Sequence, residues 1–329
     1  MSRLSTRWIL IGTGVVFLLF YLLAVYWSSE PDVVEPRQLA AQQWAGLESK
    51  PVVGFTTTTA LIHVSETLLD KPGGYLSNDI LPPSVLMDNM PAWEFGALEM
   101  VRDLSLAMRK DFSRSQSQSV ENPDLTKAQP KFNNDHNKWL LPSSESMYRE
   151  GIEALYAYRN SLASRDVSSA QFYTRADNLR DWLKQVEKRL GSLSQRLSAS
   201  VGQERLNTDL AGDASAQQST PAQAQLYTKT SWWELDDVFY ESRGACWALL
   251  HFLKAVEVDF ADTLEKKNAT VSLRQIIREL EATQDTVWSP VILNGNGFGV
   301  VANHSLVMAN YISRANAAII DLTELLVQG

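Results

Sequence analysis

The side chains best suited to chemistry lie on one predicted helix, residues 231–266. Its polar residues Asp236, Tyr240, Arg243 and Trp247 follow at spacings of four, three and four, which places them along one line of a helix. An arginine binds anionic groups well, and a neighbouring carboxylate accepts a proton. The pattern predicts a candidate polar cleft made by Asp236, Asp237, Tyr240, Glu241, Arg243, Trp247 and His251.

The same helix has a second interpretation, which the sequence leaves open. Its opposite face is broad and apolar, with Phe239, Leu249 and Phe252 among its members. A helix buried on both sides would use the polar residues as ion pairs to neighbouring helices. Such structural pairs perturb charged groups as strongly as active sites do.

Motifs of known catalytic and cofactor-binding sites are missing from the sequence. It contains no HExxH, ExxH, CxxC, GxSxG, Ser-x-x-Lys or GxxxxGK[ST] pattern, and its four histidines are scattered. The single cysteine, Cys246, falls on the apolar face of its helix and is expected to be a small core residue. The sequence therefore predicts no catalytic residue, no cofactor and no metal site.

The elements that must position the cleft begin with an apolar stretch, residues 8–27. It holds 20 residues without a charge, enough to cross the hydrocarbon core of a bilayer as a helix. Its length and the lack of an Ala-x-Ala site favour an uncleaved signal anchor over a secretory signal peptide. Arg3 and Arg7 precede it, and Glu30 and Asp32 follow. Positive charge before the stretch and negative charge after it predict a single-pass protein of a bacterial inner membrane, with its N-terminus in the cytoplasm and residues 28–329 in the periplasm.

Composition restricts the partners of the exported part. The chain of 329 residues is 45% apolar and contains 10 Trp, so a packed core is expected. Its formal net charge of −8 disfavours nucleic acid as a partner. The partners predicted are the lipid bilayer, through residues 8–27, and a protein of the cell envelope, with a homo-oligomer left open.

Periodicity predicts an all-α fold: an N-terminal transmembrane helix followed by a periplasmic helical bundle in two halves. The predicted organisation along the chain is a cytoplasmic tail (1–7), a transmembrane helix (8–27), a stalk (28–54), a first helical half (55–198), a flexible linker (199–225) and a second helical half (226–329). The linker is assigned because it has almost no large apolar residue.

Two supersecondary elements are also predicted. Apolar residues recur at alternating spacings of four and three from Phe172 to Leu197, which is a heptad seam. Its expected partner is the preceding helix (144–163), reached by a short turn to form a long antiparallel hairpin, although a parallel coiled-coil dimer is the alternative. Two apolar runs around Asn294-Gly295-Asn296-Gly297 predict a small β-hairpin, the only one expected.

Three stretches carry a resemblance to a known family. They are Lys71–Asp79 with Leu81-Pro82-Pro83, Met90–Gly96, and Asp236–Gly244. With the N-terminal anchor they resemble a family of uncharacterised proteobacterial single-pass inner-membrane proteins, a domain of unknown function covering nearly the whole chain. The resemblance implies a Gram-negative inner-membrane location and carries no activity, cofactor or catalytic residue.

Three functions are compatible with these observations. The leading hypothesis is a membrane-anchored periplasmic interaction or scaffold protein of the cell envelope. The second is a cell-envelope hydrolase that uses acidic residues of helix 231–266, such as Asp237 and Glu241. The third is a lipid or small-molecule binding sensor module with an apolar pocket.

Overall fold

A computed structural model describes residues 3–44, 51–115, 120–164, 170–206 and 225–328. The fold is all-α, as predicted, with 11 α-helices among the described residues and one two-stranded sheet. The helices are α1 (Arg3–Trp27), α2 (Pro36–Gln43), α3 (Phe55–Asp70), α4 (Asn89–Ala107), α5 (Pro123–Phe132), α6 (Ser144–Ala163), α7 (Ala176–Ser198), α8 (Leu235–Asp259), α9 (Ala261–Lys266), α10 (Thr270–Ala282) and α11 (His304–Val327). The strands are β1 (Gln203–Leu206) and β2 (Gln225–Thr228), paired antiparallel.

Helix α1 differs from all the others in its surroundings. Its segment Arg7–Trp27 is long and apolar enough to cross a membrane, and none of that window is buried by the rest of the chain. Its last residue, Trp27, packs against the core of the helical body, by which we mean the described residues after α1.

The body is organised around α8, which is buried on nearly every side. Its closest neighbour is α4, and the two helices cross where Gly96 of α4 meets Gly244 of α8. A Cβ on Gly96 would lie 1.9 Å from the carbonyl oxygen of Glu241, and one on Gly244 would lie 2.0 Å from that of Trp93. Only glycine lets two helix backbones approach this closely, so the crossing depends on both residues.

Helix α3 covers one side of α8, with α6 and α5 packed behind it. Helix α3 runs antiparallel to α8, since Thr57 bonds to Asp259 near one end while the rings of His63 and His251 meet further along. Helix α6 packs on α3 and on α5. The described part of the predicted stalk packs here as well, because α2 lies against α3 and α8 and its C-cap residue Trp44 meets Phe55 edge-on. Residues 45–50 of the stalk lie outside the described residues.

The heptad seam of α7 is buried, but its partner is not the one predicted. Helix α7 packs mainly against α11, and α6 packs against α5 and α3 instead. The pair is antiparallel, because Ser194 meets Ser313 while Gly191 approaches Asn316. The predicted hairpin of 144–163 with 168–200 is therefore wrong in its pairing, since a heptad pattern defines an apolar face and not its partner. The short turn invoked for it lies largely outside the described residues.

Helix α7 also begins later than predicted, at Ala176. Residues 170–175 are not helical, and Tyr173 donates its backbone N–H to the carbonyl of Phe112 at 2.6 Å. Phe172, predicted as part of the seam, packs instead between the rings of Phe112 and Phe260. This aromatic cluster holds the segment away from helical geometry.

The small sheet is also displaced from its predicted position. The Asn-Gly segment forms one isolated bridge, Asn294 to Asn303, and neither β1 nor β2 includes it. Strand β1 lies inside the predicted linker (199–225) and β2 begins at its last residue, so the start of the linker is wrongly predicted as flexible. Residues 207–224 of the linker lie outside the described part of the chain. Buried residues from both sides of that linker belong to one core, and the domain boundaries stay a prediction.

The glycine crossing makes a stability prediction. We expect Gly96→Ala to lower the free energy of unfolding by about 3 kcal/mol or more, because its Cβ would overlap backbone atoms that cannot move independently. Gly191→Ala on α7 is the matched control, since its nearest neighbour atom would be 3.7 Å away, at Asn316 Nδ2. That substitution should be neutral or stabilise by about 0.5–1 kcal/mol. Urea unfolding followed by tryptophan fluorescence measures both, and equal effects would contradict the crossing.

Candidate functional site

The polar line of α8 is largely covered, although Arg243 also lines a surface cavity of about 510 Å³. The line is covered by residues 30–35, the segment that leaves α1, and successive contacts join Glu30 to Arg243, Asp32 to Trp247 and Val34 to His251. Two residues of extended chain advance about 6.6 Å and one turn of helix about 5.4 Å, so the two spacings nearly match. We call residues 30–35 the strap. Because both sets of numbers rise together, the strap runs parallel to α8.

Local sequence favours an extended strap. Glu30 precedes Pro31 and Glu35 precedes Pro36, and a residue before proline is pushed away from helical geometry. Glu35 is indeed extended, and Pro36 then occupies the first position of α2, where a missing N–H costs nothing. The two prolines thus bound a segment that is free to lie along α8.

Arg243 is the most heavily bonded residue of the line. Its Nε donates to Glu30 Oε2 at 2.6 Å, and its side chain is only 7% exposed. Its two terminal nitrogens donate to the carbonyl oxygens of Thr283, Gln284 and Asp285 at 2.8–3.1 Å. Those carbonyls follow the end of α10, where backbone acceptors lack helical donors and the helix dipole is negative. Arg243 therefore joins three parts of the chain and has its donors committed to them.

Trp247 and His251 complete the contact with the strap. Trp247 donates its indole N–H to the carbonyl of Asp32 at 3.3 Å. The backbone N–H of Val34 donates to His251 Nε2 at 3.0 Å, so that nitrogen is an acceptor and the proton resides on Nδ1, which lies 2.8 Å from the carbonyl of Trp247. Burial of this imidazole lowers its pKa to about 4, and the nearby His63 and Lys254 act in the same direction.

Two of the remaining predicted site residues, Glu241 and Asp237, face other parts of the body. Glu241 pairs with Arg196 of α7 through both carboxylate oxygens, on the side of α8 away from the strap. Asp237 lies near Asp88 and Asp236, and burial followed by these like charges raises its pKa to about 6. Burial, and secondly Glu30, raise the pKa of Tyr240. The structure thus brings together Arg243, Trp247 and His251 but does not join all seven residues in one cleft.

The structure contains a fully buried ion pair that was not predicted from the sequence. Glu94 of α4 is completely buried and contacts the ammonium of Lys71. It also accepts hydrogen bonds from the backbone N–H groups of Leu76 and Ser77 at 2.8–3.2 Å and from the Ser77 hydroxyl. Burial raises the pKa of Glu94, and Lys71 and Ser77 oppose that shift. The available signal was a lone glutamate within the apolar stretch Met90–Gly96.

The surface of the body contains several cavities beside these residues. One of about 510 Å³ lies between α8, α11 and the loop after α10, with Phe239, Val287, Met308 and Tyr311 among its walls. Glu241 lines a second of about 420 Å³ between α4, α7 and α8, and Asp237 lines a third of about 570 Å³ beside the sheet. Among the described residues, no group of three or more histidine, cysteine, aspartate or glutamate side chains is arranged to hold a metal ion.

A family model, DUF2333, described as an uncharacterized protein conserved in bacteria, matches residues 2–329. The chain belongs to this family. A search of curated proteins and a search of solved structures found no match. Membership confirms the resemblance drawn from the sequence and supplies no activity.

The three stretches on which that resemblance was based meet at one place in the fold. Glu94 of the second stretch holds the loop of the first stretch, and Gly96 of the second crosses Gly244 of the third. In this member of DUF2333, these residues position the loop after α3 and two crossing helices. Their visible role is structural.

The buried pair between the strap and α8 predicts a large coupling energy. In a double-mutant cycle with Glu30→Gln and Arg243→Met, we expect a coupling of about 2 kcal/mol or more, because either single change leaves a buried charge unpaired. The control cycle is Lys254→Met with Glu35→Gln, a more exposed pair 3.5 Å apart, for which we expect about 0.5 kcal/mol. Urea unfolding gives both values, and equal couplings would show that the strap contact is weak.

Because the pKa of His251 is lowered in the folded protein, we expect the protein to lose stability in acid. This pKa is about 4 when folded and near 6.5 when unfolded, so between these values the unfolded chain binds more protons and stability falls as the pH falls. The loss can reach on the order of 3 kcal/mol. His251→Gln, which keeps an acceptor for Val34, should flatten the fall in unfolding free energy from pH 7 to pH 5. His136→Gln, at a more exposed site, should flatten it less, and the reverse order would contradict the assignment.

Proposed function

We propose that this protein is a membrane-anchored interaction or scaffold protein of the bacterial cell envelope. In this proposal α1 spans the inner membrane, the short N-terminus lies in the cytoplasm, and residues 28–329 lie in the periplasm. No catalytic group and no cofactor is assigned to it. Its action is to hold an envelope protein near the membrane surface.

The observation that carries the proposal is the exposure of α1. Most of its large apolar side chains are more than half exposed, and none of the apolar window is buried by the described part of the body. An apolar helix of this length is stable in a bilayer, where its backbone is satisfied internally and its side chains meet lipid. Water would be a poor environment for it, since burial of apolar area is the main favourable term in folding and association.

The orientation is supported by the charges that flank α1. Arg3 and Arg7 lie before the apolar stretch, whereas Glu30, Asp32 and Glu35 lie in the strap. The positive-inside rule places the arginine side in the cytoplasm. Glu30 is paired with Arg243 of the body, so the strap and the body lie on the same side of the membrane.

A role in interaction is supported by how the anchor is joined to the body. The strap is bonded along α8, and α2 packs on α3 directly after it. The body is therefore held in one orientation at the end of α1 and is not joined to it by a flexible stalk. That arrangement suits a protein that presents one surface at a defined height above a membrane.

A hydrolase has weaker support. Asp237 and Glu241 line different cavities, and both oxygens of Glu241 are engaged by Arg196. A lipid or small-molecule binding module has one specific observation in its favour, the cavity of about 510 Å³ with several apolar walls. Its size lies within the range of small-molecule sites, and it stands as the second candidate.

Topology and partner can be tested in the same cells. Alkaline phosphatase fused after Gly329 should be active, and green fluorescent protein at the same position should be dark, because only the former matures in the periplasm. Photo-cross-linking residues at Lys184, Arg274 or Ile320, on three surfaces of the body, should then give a discrete adduct with an envelope protein. The buried position Leu249 serves as the control and should give none. A bright fluorescent fusion would refute the topology, and the lack of any adduct at surface positions would refute the scaffold role.

A further inference from the structure

We propose that the end of the body next to the anchor rests on the bilayer that α1 spans, with exposed apolar side chains of its loops inserted among the lipid headgroups. The surface consists of Leu81, Leu86, Leu141, Trp233, Trp288 and Phe298, and we call it the apolar rim. This inference rests on the proposed function only for the membrane-spanning role of α1.

The anchor enters the body at this end. Trp27, the last residue of α1, lies so close to the loop after α3 that a Cβ on Gly73 would be 2.8 Å from its Cγ. From there the strap runs parallel to α8, away from the membrane, and its first contact is with Arg243. The first turn of α8 precedes Arg243 by about two helical turns, or roughly 12 Å. The N-terminal end of α8 therefore points back towards the membrane.

Antiparallel packing brings two of the rim loops to the same end. Because α3 is antiparallel to α8, its C-terminus and the following loop, with Leu81 and Leu86, lie beside the N-terminus of α8. Helix α6 is antiparallel to α3, because Arg149 pairs with Asp70 while Tyr156 bonds to Glu66, so the loop before α6 with Leu141 lies there too. The hydrogen bond from Asn78 to the carbonyl of Lys138, at 3.0 Å, joins these two loops directly.

The other rim residues reach this end by two routes. Trp233 directly precedes α8. Trp288 and Phe298 belong to the loop between α10 and α11, which begins at the carbonyls held by Arg243 and ends at His304, whose ring meets Phe239 in the first turns of α8. The residues of the apolar rim thus come from four separate loops that lie at one end of the body.

The exposure of the rim is unusual for residues of these types. Its six side chains are between 70% and 104% exposed. All the exposed tryptophans in the described part of the body, Trp139, Trp232, Trp233 and Trp288, lie in these loops. Among the described residues at the far end, in contrast, the most exposed large apolar side chains are valines, such as Val120 before α5 and Val271 in the first turn of α10. A concentration of exposed apolar groups on one surface marks a contact site, and tryptophan is enriched where protein meets the headgroup layer.

Lipid is the occupant that fits the position and the charge of this surface. The rim adjoins the exit of α1, so the bilayer is already present, and the anchor supplies a high local concentration that lets a weak insertion persist. The same loops carry Asp79, Asp88 and Glu234 and are not rich in basic residues. The contact is therefore apolar insertion and not attraction to anionic headgroups, and it should be insensitive to salt.

The test uses the full chain in phosphatidylcholine vesicles. Single cysteines placed at Leu86, Trp288 or Phe298 in the rim, or at Val120 or Val271 at the far end, carry an environment-sensitive fluorophore. Native Cys246 is buried, and the parent chain should take no label. We expect rim labels to be quenched by headgroup-nitroxide lipids and to show iodide quenching roughly threefold or more below that of far-end labels, as for a probe that leaves water.

Each other outcome overturns the inference in a different way. If the protein floats with the vesicles but rim and far-end labels respond equally to iodide, α1 anchors the chain and the rim is free in water. If rim labels are shielded from iodide yet not quenched by the lipid nitroxide, a protein covers the rim, either a second copy or another partner. If the protein does not float with the vesicles, the anchoring itself fails.

A set of substitutions distinguishes lipid contact of the rim from local effects of the fluorophore. Leu81→Glu with Leu86→Glu should increase iodide quenching of a label at Phe298 roughly threefold, towards the far-end value, because the charged loop leaves the headgroup layer. Val120→Glu with Val271→Glu is the matched control, with two equally exposed apolar positions at the far end, and should change nothing. Equal effects of the two sets would overturn the assignment of the rim as the lipid-facing surface.

Discussion

The close crossing of α4 and α8 is the constraint on which the rest of the body depends. With Gly96 and Gly244 in backbone contact, the two helices can pass each other at one point and nearly one angle. The crossing sets Trp93 against Trp247, whose rings are 5.0 Å apart, and so determines how the polar line of α8 is turned. It also places Glu94, between Trp93 and Gly96, where it can hold the loop that contacts Trp27. The position of the end of α1 against the body thus depends on a contact between two glycines.

The buried charges add orientation more than net stability. Removing Glu30 and Arg243, or Glu94 and Lys71, from water carries a large desolvation cost, which mutual attraction and extra hydrogen bonds offset only in good geometry. Such pairs do make other arrangements of the chain unfavourable, because those arrangements would leave a buried charge unpaired. A strap shifted by one residue along α8 would leave Arg243 facing no carboxylate, and a shifted loop after α3 would leave Glu94 without its donors. The two pairs therefore hold the exit of α1 in one position relative to α8.

Sequence reasoning predicted those features that depend on local pattern. The all-α class, the N-terminal apolar helix and the buried seam of α7 follow from the pattern of apolar residues within one segment. The single helix predicted over residues 231–266 is wrong in its length, because α8 ends at Asp259 and the separate helix α9 follows from Ala261. The pairing of α7 with α11 could not be predicted, because the apolar face of α7 suits any complementary helix. Helix α5, begun by the Asn122 cap and Pro123, lies in a stretch whose polar composition resembles a loop. For the candidate site, spacing identified Arg243, Trp247 and His251 as one line, yet their partners lie more than 200 residues earlier in the chain.

The covering of that line by the strap changes what the polar residues of α8 can mean for function. A ligand could reach Arg243 from the strap side only by displacing Glu30, and the three carbonyls at the end of α10 would still hold its other nitrogens. Burial keeps His251 neutral, and its two nitrogens are occupied by the strap and by α8 itself. Side chains whose donors and acceptors are all hydrogen-bonded are poor catalysts, but they connect neighbouring segments well. Their hydrogen bonds join α8 to the strap and through it to α1, so the role of these residues is to position the body at the end of α1.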